Sequence, residues 1–187
     1  MNNTTLTLKL ERAISELRRG GKVVISDPNF GISVLLTAAE LIEDETVKIL
    51  SKFALSRPNI ILSSNRSNAI GIKITNQPCS ILIGKKWTRN DILSLCMPLT
   101  GHKIPIINGV VAESNKGIVS HCLLILRQSR LLPAGLMSII SNVAPENIDQ
   151  WAFKNNFIHV DVNDIKSYEK NTAQSLSIAV RAKVPIA

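Results

Sequence analysis

The sequence has few cysteines, few aromatic residues and no long hydrophobic run, and each shortage excludes a class of protein. Its three cysteines, Cys79, Cys96 and Cys122, are odd in number and widely spaced. This spacing argues against a disulfide framework and against a four-cysteine zinc site. No apolar run approaches the roughly 18 residues that a membrane-spanning helix needs. With no recognisable secretory signal, these features predict a cytoplasmic protein of a reducing compartment.

Charge and aromatic content together argue against nucleic-acid binding. The net charge is +8, but lysine and arginine occur in small groups such as Arg18–Arg19 and Lys85–Lys86. Aromatic residues make up only 4% of the chain and are not interleaved with basic residues, as a base-stacking platform would require. Apolar residues account for 45% of the 187 residues, which is typical of a globular protein with a buried core.

Apolar spacing alternates between helical and extended patterns, which predicts a single α/β domain around a mixed sheet. Helices are predicted at 9–19, 43–54, from Thr88 onward, 117–129, 145–155 and after Asp161. Strands are predicted at 22–26, 34–39, 59–63, 70–75, 134–140, 157–160 and 175–184, with an extended segment at 103–107. Thr88 and Asp91 have the spacing of a capping box.

The motifs of common active sites are missing. The sequence contains neither a glycine-rich phosphate loop nor a Gly-x-Ser-x-Gly nucleophile elbow. His121 and His159 lie in a predicted helix and strand, where a structural role is expected, with Asp161 two residues beyond His159. His102 lies in a loop and is the histidine best placed to reach a pocket. Asp27, in the sequence DPNFG, is expected to form a turn.

Several segments, in order, resemble one family. They are AISELRRGGKVVI, LTAAELI, LTGHKIPI, LPAGLMSII and ENIDQWAFKNNFIHVDVNDIKSYEK. Together they resemble 3,4-dihydroxy-2-butanone 4-phosphate synthase, a lyase of riboflavin biosynthesis, over about residues 9–170. The resemblance implies a metal-dependent rearrangement of ribulose 5-phosphate with loss of formate. The resemblance implies one domain over residues 1–187 with the mixed α/β fold of that lyase. It also implies a homodimer.

The residues that carry the family's chemistry are replaced. In an ungapped comparison, the family's arginine and metal-binding glutamate fall on Asn29 and Phe30. The arginine, metal-binding histidine and glutamate of its second motif fall on Asn115, Ile118 and Ser120. Phenylalanine and isoleucine have no ligand atoms for Mg²⁺, so no metal or other cofactor is predicted. Asn29, Asn115, Ser120 and His102 remain as candidate substrate-binding residues.

Other family positions are also apolar here. Three positions that are acidic in the family carry Ile32, Val34 and Ile139, and the threonine of its second motif falls on Val119. These side chains, with Phe30 and Ile118, are expected to fill the former cleft. The first hypothesis is therefore a homodimeric, non-catalytic binding or partner protein. An alternative is a diverged enzyme that uses His102 on a small phosphorylated substrate, and another is a lyase that is still active. Ser56-Arg57-Pro58 is faintly similar to a segment of threonylcarbamoyl-adenylate synthases, but the closing third of the chain fits the lyase better.

Overall fold

Strands and helices alternate along most of the chain. The computed structural model describes residues 3–54, 56–74, 76–98, 101 and 103–175. Within them the strands are β1 (Val23–Asp27), β2 (Ile32–Ala38), β3 (Asn59–Leu62), β4 (Cys79–Leu82), β5 (Val111–Ala112), β6 (Ala134–Ile139) and β7 (Ile158–Asp161). The α-helices are α1 (Asn3–Arg18), α2 (Thr46–Ser51), α3 (Ser64–Ala69), α4 (Arg89–Cys96), α5 (Ile118–Gln128), α6 (Ile148–Lys154) and α7 (Val162–Ser175).

The strands form one mixed sheet in the order β5-β4-β3-β6-β2-β1-β7. Its pairings are antiparallel except for that of β1 with β7, which is parallel. This confirms the predicted mixed α/β fold. No helix in the described part of the chain has the length and apolar character needed to cross a membrane.

Helices cover both faces of the sheet because strand side chains alternate between the faces. On one face, α1, α5 and α7 pack against a core that contains Ile25, Val34 and Leu36. On the other, α2, α4 and α6 pack against a core that contains Val24 and Leu35. Each fully buried aliphatic side chain contributes about 1.5–3 kcal/mol relative to an exposed one, so both faces stabilise the sheet.

The predicted strand at 70–75 is wrong. Ile70, Ile72 and Ile74 have alternating spacing, but they lie in non-strand segments and pack partly buried against the second core. The polar residues before them form α3 instead, because the Ser63 hydroxyl accepts a hydrogen bond from the Arg66 backbone N–H and caps that helix. The strand of this region is β4, which the sequence reading missed.

Two further predictions concern extended segments, and only the first of these segments lies wholly within the described residues. The described residues at 103–107 are not in a strand, and the edge of the sheet is β5 instead. Of the strand predicted at 175–184, Ser175 ends α7 and the rest lies outside the described residues. The Thr88–Asp91 capping box at the start of α4 is confirmed, with both of its reciprocal hydrogen bonds present.

Candidate functional site

The turn between β1 and β2 is built by Asp27. Its carboxylate accepts a hydrogen bond from the Asn29 backbone N–H at 3.1 Å, and its carbonyl accepts one from the Phe30 N–H at 3.3 Å. Gly31 adopts a φ of 62° to close the turn, a conformation that glycine tolerates best. Asp27 therefore has the predicted turn-forming role.

The turn presents apolar side chains to solvent. Phe30 is 69% exposed, Ile32 is 37% exposed and Ile139 is 51% exposed. Ile139 pairs with Val34 across β6 and β2, which places it on the same face as Ile32, two residues from Val34. We call Phe30, Ile32 and Ile139 the hairpin patch. The prediction that these three side chains fill a cleft is wrong, because they are exposed.

The other apolar replacements lie in or against the core. Val34 and Val119 are buried, and Ile118 is partly buried at the start of α5, where it packs against the first core. A Mg²⁺ ion prefers oxygen ligands and is usually held by one or two carboxylates, with water and substrate oxygens completing its coordination. Among the described residues, no three histidine, cysteine, aspartate or glutamate side chains converge. With Phe30 and Ile118 at the positions the resemblance assigns to ligands, the residues present do not fit this metal.

Asn115 and Ser120 meet at a surface groove beside α5. The Asn115 side-chain amide donates to the Asn76 carbonyl at 3.0 Å, and the Ser120 hydroxyl donates to the Ser114 carbonyl at 2.9 Å. Two cavities of about 330 and 490 Å³ adjoin here and share Asn115, Ser120 and Arg127. We call this pair of cavities the α5 groove.

The α5 groove carries a net positive charge. Lys116, Lys166 and Glu169 line the larger cavity together with Arg127. Three cations against one carboxylate favour an anionic ligand. Asn29 is not among the residues that line this groove, so the structure brings together two of the predicted substrate-binding residues and not the third. His102, the fourth, lies outside the described residues.

A second polar constellation lies at the β7 edge of the sheet. The Ser26 hydroxyl is 2.8 Å from His159 Nε2, and His159 Nδ1 is 2.8 Å from Asp149 Oδ1. Lys9 Nζ donates to the same carboxylate oxygen at 3.0 Å. The hydrogen bonds from His159 and then Lys9 lower the pKa of Asp149. Sequence reasoning missed this contact because it paired His159 only with the neighbouring Asp161.

The thiols are not candidates for a nucleophile. Cys79, Cys96 and Cys122 are free and buried. Burial raises the pKa of Cys79 to about 11 and that of Cys96 to about 12, and it raises the pKa of Cys122 further. Because the thiolate is the reactive form, these residues are packing residues at neutral pH.

Comparison with known structures defines the class of fold. The chain is similar to the 3,4-dihydroxy-2-butanone 4-phosphate synthase of Candida albicans, with a TM-score of 0.70, 17% identity, and coverage of 86% of this chain and 96% of that one. A synthase in complex with two magnesium ions matches with a TM-score of 0.68 and 13% identity, over 89% of this chain and 99% of that one. A two-domain synthase from A. baumannii matches with a TM-score of 0.67 and 14% identity, over 86% of this chain and 57% of that one.

The fold is thus the mixed α/β fold that these synthase structures share. More specifically, it is the fold of 3,4-dihydroxy-2-butanone 4-phosphate synthase. No family model matches the sequence, and no curated protein matches it significantly. At these identities the likeness establishes the fold, and the chemistry has to be argued from the residues.

Proposed function

We propose that this chain is a binding protein on a synthase-like fold that has lost ribulose 5-phosphate lyase activity. The observation that carries the proposal is the pair Phe30 and Ile118, which occupy the positions that the resemblance assigns to the metal ligands. Phe30 is exposed on a turn and Ile118 packs against the core. Neither side chain has a lone pair for a metal or a proton to transfer, and the lyase reaction requires both functions.

The α5 groove supports binding of an anionic ligand. Arg127 offers a planar guanidinium that can donate two parallel hydrogen bonds to a phosphate, and Ser120 and Asn115 add neutral polar groups at the same groove. This combination suits a small phosphorylated molecule. It also favours the second candidate, a diverged enzyme on such a substrate, because polar groups converge there.

A thermal-shift titration with ribulose 5-phosphate, with and without Mg²⁺, tests the proposal when a formate-release assay is run on the same samples. We expect a rise in melting temperature, since a ligand that binds only the native state stabilises it, and no formate. Arg127→Gln should abolish the rise, whereas the exposed, charge-matched control Arg12→Gln should retain it. Formate release would overturn the loss of lyase activity.

The outcome without formate separates the remaining candidates. A shift lost in Arg127→Gln supports a phosphate-binding protein at the α5 groove. Consumption of ribulose 5-phosphate to a product other than formate supports the diverged enzyme. The absence of any shift with ribulose 5-phosphate and with inorganic phosphate would contradict a phosphate site at this groove.

We further propose that the chain forms a homodimer through the hairpin patch. The support is the exposure of Phe30, Ile32 and Ile139 within one neighbourhood, since adjacent exposed apolar side chains mark interaction surfaces. Sedimentation velocity should show a dimer for the native chain and a monomer for Phe30→Asp. Phe153→Asp is the matched control, because Phe153 is 82% exposed on α6 and outside the patch. A dimer that persists in Phe30→Asp would contradict this assignment.

A further inference from the structure

Ser26, His159 and Asp149 form a continuous chain of hydrogen bonds. A carboxylate only accepts hydrogen bonds, so the short contact between Asp149 Oδ1 and His159 Nδ1 requires a proton on Nδ1. In the neutral imidazole, Nε2 is then the acceptor, and the Ser26 hydroxyl 2.8 Å away donates to it. This is the arrangement in which a histidine can withdraw a proton from a serine.

Rigid elements hold the three residues. The parallel pairing of β1 with β7 sets Val24 opposite His159 and Ser26 opposite Asp161. Ser26 and His159 therefore point to the same face of the sheet, and α6, which packs on that face, supplies Asp149. The His159 side chain is only 11% exposed, so its ring is held in place between its two partners.

A small cavity gives access to the nucleophile. Ser26, His159 and Asp149 all line a cavity of about 180 Å³, which we call the Ser26 cavity. This volume admits a short acyl group and excludes a bulky one. Asp27, Glu146 and Asp161 also line it, and among its described lining residues there is no lysine or arginine. The surrounding carboxylates disfavour an anionic substrate such as a sugar phosphate.

We propose that Ser26, His159 and Asp149 act as nucleophile, general base and orienting carboxylate in the hydrolysis of short-chain acyl esters of neutral or cationic alcohols. This activity is independent of the binding function proposed for the α5 groove. The α5 groove lies beside α5 and α7, which cover one face of the sheet, whereas the Ser26 cavity is lined from β1, β7 and α6 on the other face. The two sites favour ligands of opposite charge.

The reaction balances without a cofactor. Ser26 Oγ attacks the ester carbonyl carbon while its proton moves to His159 Nε2. The bond between the carbonyl carbon and the alkoxy oxygen then breaks, and the alcohol leaves with that proton. Water attacks the acyl–serine, gives a proton to Nε2, and the carboxylic acid departs as Ser26 Oγ recovers its proton. Asp149 keeps the Nδ1 proton in place throughout and accepts none.

The test uses the full chain with p-nitrophenyl acetate and, separately, with diisopropyl fluorophosphate, followed by mass spectrometry of the peptides. We expect a burst of about one p-nitrophenolate per chain and a phosphoryl adduct on Ser26. General-base assistance contributes about 10²–10⁴-fold, so His159→Gln should slow acylation by at least about 100-fold. Ser15→Ala, an exposed serine on α1, is the control and should react as the native chain does.

Asp149→Asn separates catalysis from structure. Asp149 is 71% exposed, so its amide variant should fold, which circular dichroism checks. Acylation of Ser26 should nevertheless slow by tenfold or more, because the amide no longer fixes the imidazole tautomer. A network that merely ties β7 to β1 and α6 would leave Ser26 unmodified in the native chain. Absence of a Ser26 adduct, or equal labelling in Asp149→Asn, would overturn the proposal.

Discussion

The two faces of the β1–β2 strand pair have opposite chemistry. On the face that α5 covers, positions that are acidic in the resembling family carry Ile32, Val34 and Ile139, and two of these are exposed. On the face that α6 covers, Ser26 joins His159 and Asp149 in a hydrogen-bonded chain. Neighbouring residues of one strand face the two different environments, because successive side chains point to opposite faces.

This contrast places apolar side chains on one side of a strand pair and a hydrogen-bonded serine and histidine on the opposite side. Strands β2 and β6 carry the first set, whereas β1, β7 and α6 carry the second, and all of them belong to the same fold. A likeness in fold therefore says little about which face carries chemistry. The comparison can be tested by changing each face separately.

The largest expected effect is a loss of stability when a polar group is placed on the apolar face. Val34→Asp should lower the free energy of unfolding by about 3 kcal/mol or more, because it places an unpaired polar group in the core. Phe30→Asp, at a side chain that is 69% exposed, should change it by less than about 0.5 kcal/mol. Urea denaturation in the concentration range where both variants are monomeric measures the difference. Equal losses would show that Phe30 is buried in solution.

The second expected effect is on the reactivity of the cysteine thiols, which must be low if Ser26 is the reactive nucleophile. A pKa of about 11 for Cys79 in place of 9.0 leaves roughly 100-fold less thiolate at pH 8, since each pKa unit is a factor of ten. Ellman's reagent should therefore react with the folded chain at least about 100-fold more slowly than with the chain in urea. Fast reaction of one thiol in the folded chain would contradict its burial and would complicate assignment of acylation to Ser26.

The smallest effect is on acid stability. The pKa of Asp149 is lowered in the folded chain, so its contribution to stability is present above the unfolded pKa and is lost as pH falls through the folded value. Below about pH 4, the free energy of unfolding should fall less steeply in Asp149→Asn than in the native chain. The difference should be less than about 1 kcal/mol, because the carboxylate is largely exposed. Urea titrations at pH 6 and pH 3 measure it. If the free energy of unfolding depends on pH equally in both chains, the contacts of Asp149 with His159 and Lys9 do not contribute to acid stability.

Local features of the fold were predictable, and non-local ones were not. The α4 capping box and the amphipathic α5 depend on residues a few positions apart, which the sequence displays directly. The alternation of Ile70, Ile72 and Ile74 was misleading because a half-buried irregular segment can have the same spacing as a strand. The short β4 has little alternation to detect.

The two candidate sites also differ in whether local sequence could predict them. Asn115 and Ser120 were found through short motifs placed by resemblance to a family. Ser26 and His159 are 133 residues apart and belong to no local motif, and only the register of β1 against β7 brings them together. Asp149 then depends on how α6 packs over that pair, which no sequence spacing specifies.

The parallel pairing of β1 with β7 also affects how the protein is made. The ribosome completes β1 and its hairpin partner early, but β7 is synthesised only after more than a hundred further residues. Until then one side of β1 has no strand beside it, and an unpaired strand edge can associate with other nascent chains. Slow translation of the intervening residues would lengthen that interval, so we expect the yield of native protein to depend on elongation rate and on chaperones that cover this edge.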